Sequence, residues 1–151
     1  MTKQLHSTPI RNRERGTSFI EMAILLPMLL MLCCGTMDFA RVIYAGIEIS
    51  NAARAGVQYG ALLPGNAGDT AGMQQAAVND AADLGSSNVT ATASNFCTCN
   101  GSTVSCSDTT CATTPNGYVS VTTSYTFNTV VHYPGLPQSV VLTHTAQMRV
   151  Q

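Results

Sequence analysis

The sequence has little charge, no tryptophan and few basic residues outside its first fifteen positions. Only 10% of its 151 residues are charged, whereas 45% are hydrophobic. Cytosolic enzymes usually carry more surface charge, so this composition favours a small exported or membrane-attached domain. Four of the seven basic residues lie in the first fifteen positions, and the rest of the chain has too few to form a basic patch. Nucleic acid is therefore excluded as a partner.

Arrangements of residues typical of catalytic or metal sites are also missing. The histidines, His6, His132 and His144, are widely separated and have no ligand spacing such as H-E-x-x-H. Asp80 and Asp83 lie three apart in a segment expected to be helical, where a solvated face is the ordinary explanation of such a pair. No glycine-rich phosphate loop follows a predicted strand. The sequence therefore predicts neither an enzyme nor a protein that needs a cofactor or a metal ion.

The sequence does contain a long apolar run, from Phe19 to Met37, which includes one charged residue. As a helix this run is about 28 Å long, close to the roughly 30 Å of a bilayer's hydrocarbon core. Basic residues precede it and none follows directly, so its N-terminal end is expected in the cytoplasm. A cleaved signal peptide would have a shorter apolar region and a small-residue cleavage site. The run therefore predicts a single-pass helix in contact with membrane lipid.

Glu21 is the one charged residue of this run. A carboxylate at membrane depth is expected to be neutralised, to extend to the interface, or to pair with a cation inside an assembly. Because position 21 is near the cytoplasmic end, extension to the interface is one interpretation. The other depends on Gly16, since cleavage after Gly16 would create an amine on Thr17. The ammonium of one subunit could then neutralise Glu21 of its neighbour and set the alignment of the two helices.

The helical pattern continues beyond the membrane run to about residue 61. Apolar and small residues recur every three or four positions until Leu63-Pro64-Gly65-Asn66, which should end the helix. Asp38 and Arg41 are three apart and are expected to pair. Small residues over 46–60 allow another backbone to approach closely, either the protein's own sheet or the helix of a neighbouring subunit. The candidate helix-packing positions are Gly46, Ala53, Gly56 and Gly60.

The rest of the chain is expected to form a small exported domain. Asp69-Thr70 can begin a second helix that ends at Gly85. Three strand-like segments follow, over 89–93, 118–127 and 139–150. The exported half of the long helix would cover the apolar face of the resulting sheet. The predicted organisation is a basic leader, a membrane-spanning and extended N-terminal helix, and an exported α+β domain, over residues 1–16, 17–61 and 62–151.

The cysteines fall into two groups. Cys33 and Cys34 lie inside the apolar run and are interpreted as small hydrophobic residues. The other four lie in a polar loop predicted over residues 95–116, where they indicate two disulfides if the domain is exported. Three pairings of these four are possible, and zinc binding is a weaker alternative because the C-x-C spacing departs from the usual C-x2-C. The four are Cys97, Cys99, Cys106 and Cys111.

The N-terminal sequence resembles the type III signal of type IV pilins and pseudopilins. That signal combines a basic leader ending in Gly, four intervening residues and a Glu before an apolar helix, and it corresponds here to Arg15-Gly16-Thr17-Ser18-Phe19-Ile20-Glu21. The wider stretch GTSFIEMAILLPMLLMLCCGTMDFARVIYAGIEISNAARAGVQYGA is similar to TadE/TadG-type pseudopilins of tight adherence (Tad) pilus systems. The C-terminal segments YVSVTTSYTF and LPQSVVLTHTAQMRV are similar to the end of those proteins.

This resemblance implies a pilin-like α+β fold, with a long N-terminal helix on a small antiparallel sheet. It also implies cleavage between Gly16 and Thr17 by a prepilin peptidase and an assembly role for Glu21. The implied location is the bacterial inner membrane, with the C-terminal domain exported to the periplasm or cell surface. The implied partners are other pilins and pseudopilins and the inner-membrane pilus assembly platform.

The function expected from these features is that of a minor pseudopilin in the assembly of a Tad-type pilus for adherence or secretion. The alternative is a signal-anchored envelope protein whose exported domain binds a partner without assembling. Cleavage after Gly16 distinguishes the two, because a simple anchor has no need of it.

Overall fold

The computed structural model describes residues 15–106, 111, 114–132 and 135–150. Most of the predicted leader, residues 1–14, lies outside the described residues. The chain divides into two compact units, Met1–Met37 and Asp38–Gln151. The described part of the first unit is helical, and its side chains from Gly16 onward are almost all exposed.

The N-terminal helix, α1, extends over Arg15–Leu62 and contains Pro27. It begins two residues earlier than expected and ends one residue later. The helix ends where the sequence predicted. Leu63 precedes a proline, which disfavours helical geometry, and its backbone is extended. A 3₁₀ turn over Pro64–Gly68 follows. The helix is long and apolar enough at its N-terminal end to cross a membrane, by length and composition.

The second helix, α2, extends over Thr70–Asp80. Its predicted N-cap is confirmed, since a carboxylate oxygen of Asp69 accepts a hydrogen bond from the N–H of Gly72 at 2.9 Å. The α-helical geometry ends earlier than expected, and a 3₁₀ turn over Ala82–Leu84 follows. Gly85 then ends the segment with a positive φ of 81°, a conformation that favours glycine.

The sheet is antiparallel and has four strands rather than the three expected. The strands are β1 (Val89–Cys99), β2 (Ser102–Val104), β3 (Asn116–Asn128) and β4 (Ser139–Arg149). Their order across the sheet is β2-β1-β3-β4, so β2 and β4 are the outer strands. The pairing of β3 with β4 covers all eleven residues of β4, from Asn128 opposite Ser139 to Tyr118 opposite Arg149.

The predicted loop over 95–116 is therefore wrong over its first part. β1 continues through Cys99, and a two-residue turn leads into β2. Asn100 and Gly101 form this turn with φ of 49° and 85°. An Asn-Gly pair is the preferred sequence for such a hairpin, because both positions need positive φ.

The core of the second unit lies between the C-terminal part of α1, α2 and one face of the sheet. One buried cluster joins all three elements: Val57, Ala61, Met73, Ala77, Val119 and Val121. A smaller one consists of Ala52, Ala81 and Val89. The Thr123 hydroxyl on β3 donates a hydrogen bond of 2.7 Å to the carbonyl of Ile49 on α1. The expected α+β architecture, a long helix packed on a small antiparallel sheet, is confirmed.

Candidate assembly surface

The predicted processing and assembly residues lie near the N-terminal end of α1. Gly16, Thr17 and Glu21 are all in the helix and exposed. Thr17 and Glu21 are four residues apart, so they lie on the same face of α1. A side chain added at Gly16 would meet no other atom within 4 Å.

Glu21 lies among large exposed apolar side chains. Phe19, Ile20, Leu25 and their neighbours down to Leu32 are more than half exposed. Within the part of the chain that the structure describes, the one salt bridge joins Asp38 to Arg41, and none involves Glu21. This carboxylate therefore has no cationic partner among the described residues, in surroundings that favour an apolar contact or a membrane.

Asp38, the first residue after the apolar run, has a different environment. Only 6% of the residue is exposed. Its carboxylate accepts hydrogen bonds from the backbone N–H of Val130 at 3.2 Å, from that of Val131 at 3.3 Å and from the guanidinium of Arg41 at 3.1 Å. The predicted Asp38–Arg41 pair is thereby confirmed. Arg41 also lies over the ring of Phe127, 5.2 Å from its centroid.

These contacts set the ionisation of Asp38. Burial raises the pKa of the carboxyl, but the two backbone donors and the Arg41 guanidinium outweigh it and hold the pKa below its usual value. Asp38 therefore stays ionised and ties α1 to the segment that follows β3. The Asp38–Arg41 pair could be predicted from the three-residue spacing of the two side chains. The contact of Asp38 with residues 130 and 131 could not, because no local sequence pattern indicates it.

The small residues of α1 separate into two kinds. Ala53, Gly56 and Gly60 are buried. A Cβ at Gly56 would lie 2.9 Å from the Met73 carbonyl oxygen and 3.0 Å from Val121, and one at Gly60 would overlap the Met73 side chain. Gly56 and Gly60 therefore lie against α2 and β3 of the same chain.

Gly46 is different, because a Cβ there would meet nothing within 4 Å. Of the four predicted packing positions, it alone has open space beside it. A role of these four residues in contacts between subunits remains a prediction. The other three are buried within the protein's own packing.

The four cysteines that follow α2 form two disulfides, Cys97–Cys106 and Cys99–Cys111. This pairing, which the sequence left open, consumes the thiolates that the zinc alternative would require. Within the described residues, no group of three or more His, Cys, Asp or Glu side chains could hold a metal ion. Cys33 and Cys34 are free and exposed.

The histidines do not form a shared site where they are described. His132 is near Gln138, with 3.4 Å between the two side-chain nitrogens. His144, on β4, lies 3.3 Å from the hydroxyl of Ser50 on α1. His6 lies outside the described residues.

Comparison with known proteins gives a match over most of α1. A family model described as TadE-like protein matches residues 16–58. The match begins at the predicted cleavage position and includes Glu21 and most of α1, but it does not extend to the sheet. No curated protein and no solved structure matches the chain.

Proposed function

We propose, on the premise that residues 16–58 carry the sequence signature of the TadE-like family, that this protein is a minor pseudopilin. It takes part in assembling a Tad-type pilus used for adherence or secretion, and it has no enzymatic activity. The single observation that carries this proposal is Glu21, a carboxylate without a cationic partner among the described residues, in an exposed apolar helix.

The proposed topology follows from the charges on either side of the apolar run. Basic residues before it retain the N-terminus in the cytoplasm, and the run itself spans the bacterial inner membrane in contact with lipid. The domain from Asp38 onward is then exported. An oxidising compartment is where disulfides such as those of β1 form and persist, which supports this orientation.

The proposed assembly step begins with a prepilin peptidase that cleaves between Gly16 and Thr17. The new ammonium of Thr17 pairs with Glu21 of an adjacent pilin or pseudopilin at the inner-membrane assembly platform. Within one chain the two residues lie four apart on the same helix face, so neighbouring helices aligned side by side present the two groups at nearby depths. A charge left unpaired at the membrane centre costs about 2.5–3.5 kcal/mol on insertion scales and less near the interface, where Glu21 is expected, and pairing offsets that cost.

Intact-mass measurement of the protein from its native membrane tests the cleavage. The expected mass lacks residues 1–16, and the full mass is expected when the prepilin peptidase is absent. The substitution Gly16→Leu should also leave the leader attached, because it fills the position before the scissile bond. Retention of the leader in cells that assemble pili normally would instead support the signal-anchored alternative.

Substitution of Glu21 tests the assembly role. Glu21→Ala and Glu21→Gln should insert and be exported normally but fail to support pilus assembly, because neither carries the charge. Glu48→Gln is the matched control, since Glu48 is the other glutamate of the described part of α1 and lies in the exported unit. Wild-type piliation by either Glu21 variant would contradict the charge-pairing role.

A further inference from the structure

The β3–β4 connection joins the two longest neighbouring strands of the sheet. The structure describes its residues 129–132 and 135–138. Its two ends are held together, because Thr129 donates its N–H to the carbonyl of Gln138 at 2.9 Å. The connection begins where β3 ends, at Asn128. Its place in the second unit therefore depends on the direction in which β3 runs along α1.

β3 runs opposite to α1, so its C-terminal end lies beside the first residues of the second unit. As the residue numbers on α1 fall, those of their neighbours on β3 rise. The neighbouring pairs that show this are Gly60 with Val119, Gly56 with Val121, Ile49 with Thr123 and Arg41 with Phe127. The series ends at Asp38, whose carboxylate lies 3.2 Å from the backbone nitrogen of Val130. The connection is thus at the end of the unit where the chain enters from the apolar run.

Chain connectivity sets the depth of this end relative to a membrane. Asp38 follows directly after Met37, the last residue of the apolar run. When that run fills the hydrocarbon core, Asp38 lies in the headgroup layer, which adds about 5–7 Å on each side of the core. The 3.2 Å hydrogen bond between Val130 and Asp38 is shorter than this layer is thick. The backbone of the connection therefore lies within the same layer.

The side chains of the connection suit a boundary between headgroups and hydrocarbon. Val130 is 73% exposed and Leu136 is 65% exposed. Phe39, next to Asp38 on α1, is exposed as well. No Asp, Glu, Lys or Arg occurs from residue 128 to residue 148. Binding at a lipid interface grows with the apolar area that is buried, so a segment without charges and with exposed aliphatic side chains favours it.

The opposite end of the second unit combines exposure with charge. Leu62, the last residue of α1, is 74% exposed, so it matches Val130. It lines a surface groove together with the charged Arg149. The helix from Asp38 to Leu62 rises about 36 Å, far more than the thickness of a headgroup layer. Leu62 is therefore a natural reference position that no membrane contact at Asp38 can reach.

We propose that the β3–β4 connection is a second membrane contact, in which Val130 and Leu136 enter the lipid interface on the exported side of the bilayer. The proposal rests on the membrane topology given under the proposed function, and its one occupant is phospholipid. Acyl chains cover the two aliphatic side chains. Arg41, whose side chain is 47% exposed, is one turn beyond Asp38, where a cation is attracted to anionic headgroups. This contact would hold the end of the domain at the bilayer surface.

Fluorescence quenching by lipids can test this contact on the full-length protein. Single cysteines that carry a fluorophore are introduced one at a time. Val130→Cys and Leu136→Cys give the connection labels. Leu62→Cys gives the control label, which is matched to Val130 in exposure. Leu29→Cys gives the core label, which lies inside the apolar run and reports whether the helix has inserted.

Each variant also carries Cys33→Ala and Cys34→Ala, which remove the two free thiols. The protein is placed in vesicles of phosphatidylethanolamine and phosphatidylglycerol that contain a nitroxide lipid, with the nitroxide either near the headgroup or deep in the acyl chain. Both leaflets contain the nitroxide lipid, so the result does not depend on the orientation of the protein.

The connection labels should lose most of their fluorescence to the shallow nitroxide and less to the deep one. The core label should respond more strongly to the deep nitroxide, and the control label should respond to neither. Iodide in the water should quench the control label much more than the connection labels. This pattern would place the connection at the interface rather than merely near the membrane.

The core label separates failure of this inference from failure of the topology. Connection labels that behave like the control label, while the core label is quenched by lipid, would overturn the second contact and leave the topology intact. A core label that lipid does not quench would overturn both. Protection of the connection labels from iodide without quenching by lipid would show that another copy of the protein covers them, and it would also refute the lipid contact.

Discussion

The two parts of α1 contrast most clearly in their carboxylates. Glu21, in the apolar run, is exposed and has no cationic partner among the described residues. Asp38, in the second unit, is buried and accepts hydrogen bonds from two backbone N–H groups and one guanidinium. A carboxylate satisfied by its own chain serves folding, whereas one that is left unsatisfied must find its partner in lipid, at the interface or in another subunit. One helix therefore contains both kinds of acidic residue.

The same contrast holds for side-chain size. From Phe19 to Leu32 the helix presents large aliphatic and aromatic side chains, all exposed. Between Ala45 and Ala61 it buries mostly small ones, which bring α1 close to α2 and β3. Substitutions of one residue type in both parts can test whether the difference reflects packing within the domain.

The largest expected effect on stability is that of a buried methionine. Met73 is fully buried and Met31 is 73% exposed. Met73→Ala should lower the free energy of unfolding of the second unit by about 2–5 kcal/mol, because it leaves a cavity among α1, α2 and β3. Met31→Ala should leave it unchanged. Urea unfolding of the full chain in detergent, followed by circular dichroism, measures the free energy of unfolding of both variants. Equal losses for Met73→Ala and Met31→Ala would contradict the difference in packing between the two parts of α1.

The cysteines provide the next comparison. Replacing Cys97 and Cys106, or Cys99 and Cys111, with alanine should cost about 2–3 kcal/mol per bridge, because each disulfide closes a short loop in the unfolded chain. Cys33→Ala and Cys34→Ala should have no effect on the domain. Alkylation before reduction should label Cys33 and Cys34 only. Labelling of all six, or zinc bound in stoichiometric amount, would contradict the pairing.

Two glycines of α1 differ by whether a methyl group fits beside them. Gly56→Ala should destabilise the domain by about 1–3 kcal/mol, because the new Cβ would press against the Met73 backbone and Val121. Gly46→Ala adds a methyl group in open space and should be neutral or stabilising by up to about 1 kcal/mol, because alanine favours helix. If Gly46→Ala proves the more harmful in pilus assembly but not in unfolding, Gly46 is a contact between subunits.

The smallest expected effect concerns pH. The pKa of Asp38 is lowered in the folded protein, so its contribution to stability is present above the usual aspartate pKa and is lost as the pH falls through the lower folded value. Asp38→Asn should melt at a lower temperature than the wild type at neutral pH, and the gap should close in acid. Asp80→Asn, at an exposed position, is the control. A gap that is constant with pH would exclude ionisation as its cause.

Much of this fold could be predicted from local patterns. The helix stop at Leu63-Pro64 and the Asp69 cap depend on neighbouring residues and were predicted correctly. The extension of β1 was missed because its polar residues resemble a loop, although Asn100-Gly101 was an available hairpin signal. The contact of Asp38 with residues 130 and 131 spans more than ninety positions, and no local pattern encodes it. For the same reason the spacing of small residues along α1 could not show that Gly56 packs against Met73 and Val121 while Gly46 has open space beside it.

The two disulfides are interleaved, since Cys99 lies inside the loop closed by Cys97 and Cys106 and its partner Cys111 lies outside it. A single proteolytic cut anywhere between Cys97 and Cys111 is therefore spanned by at least one bridge. A nicked molecule would keep its two fragments covalently joined and would migrate as one band until it was reduced. If the domain is exported as proposed, this topology would make the segment between Cys97 and Cys111 tolerant of a backbone break by proteases outside the cell.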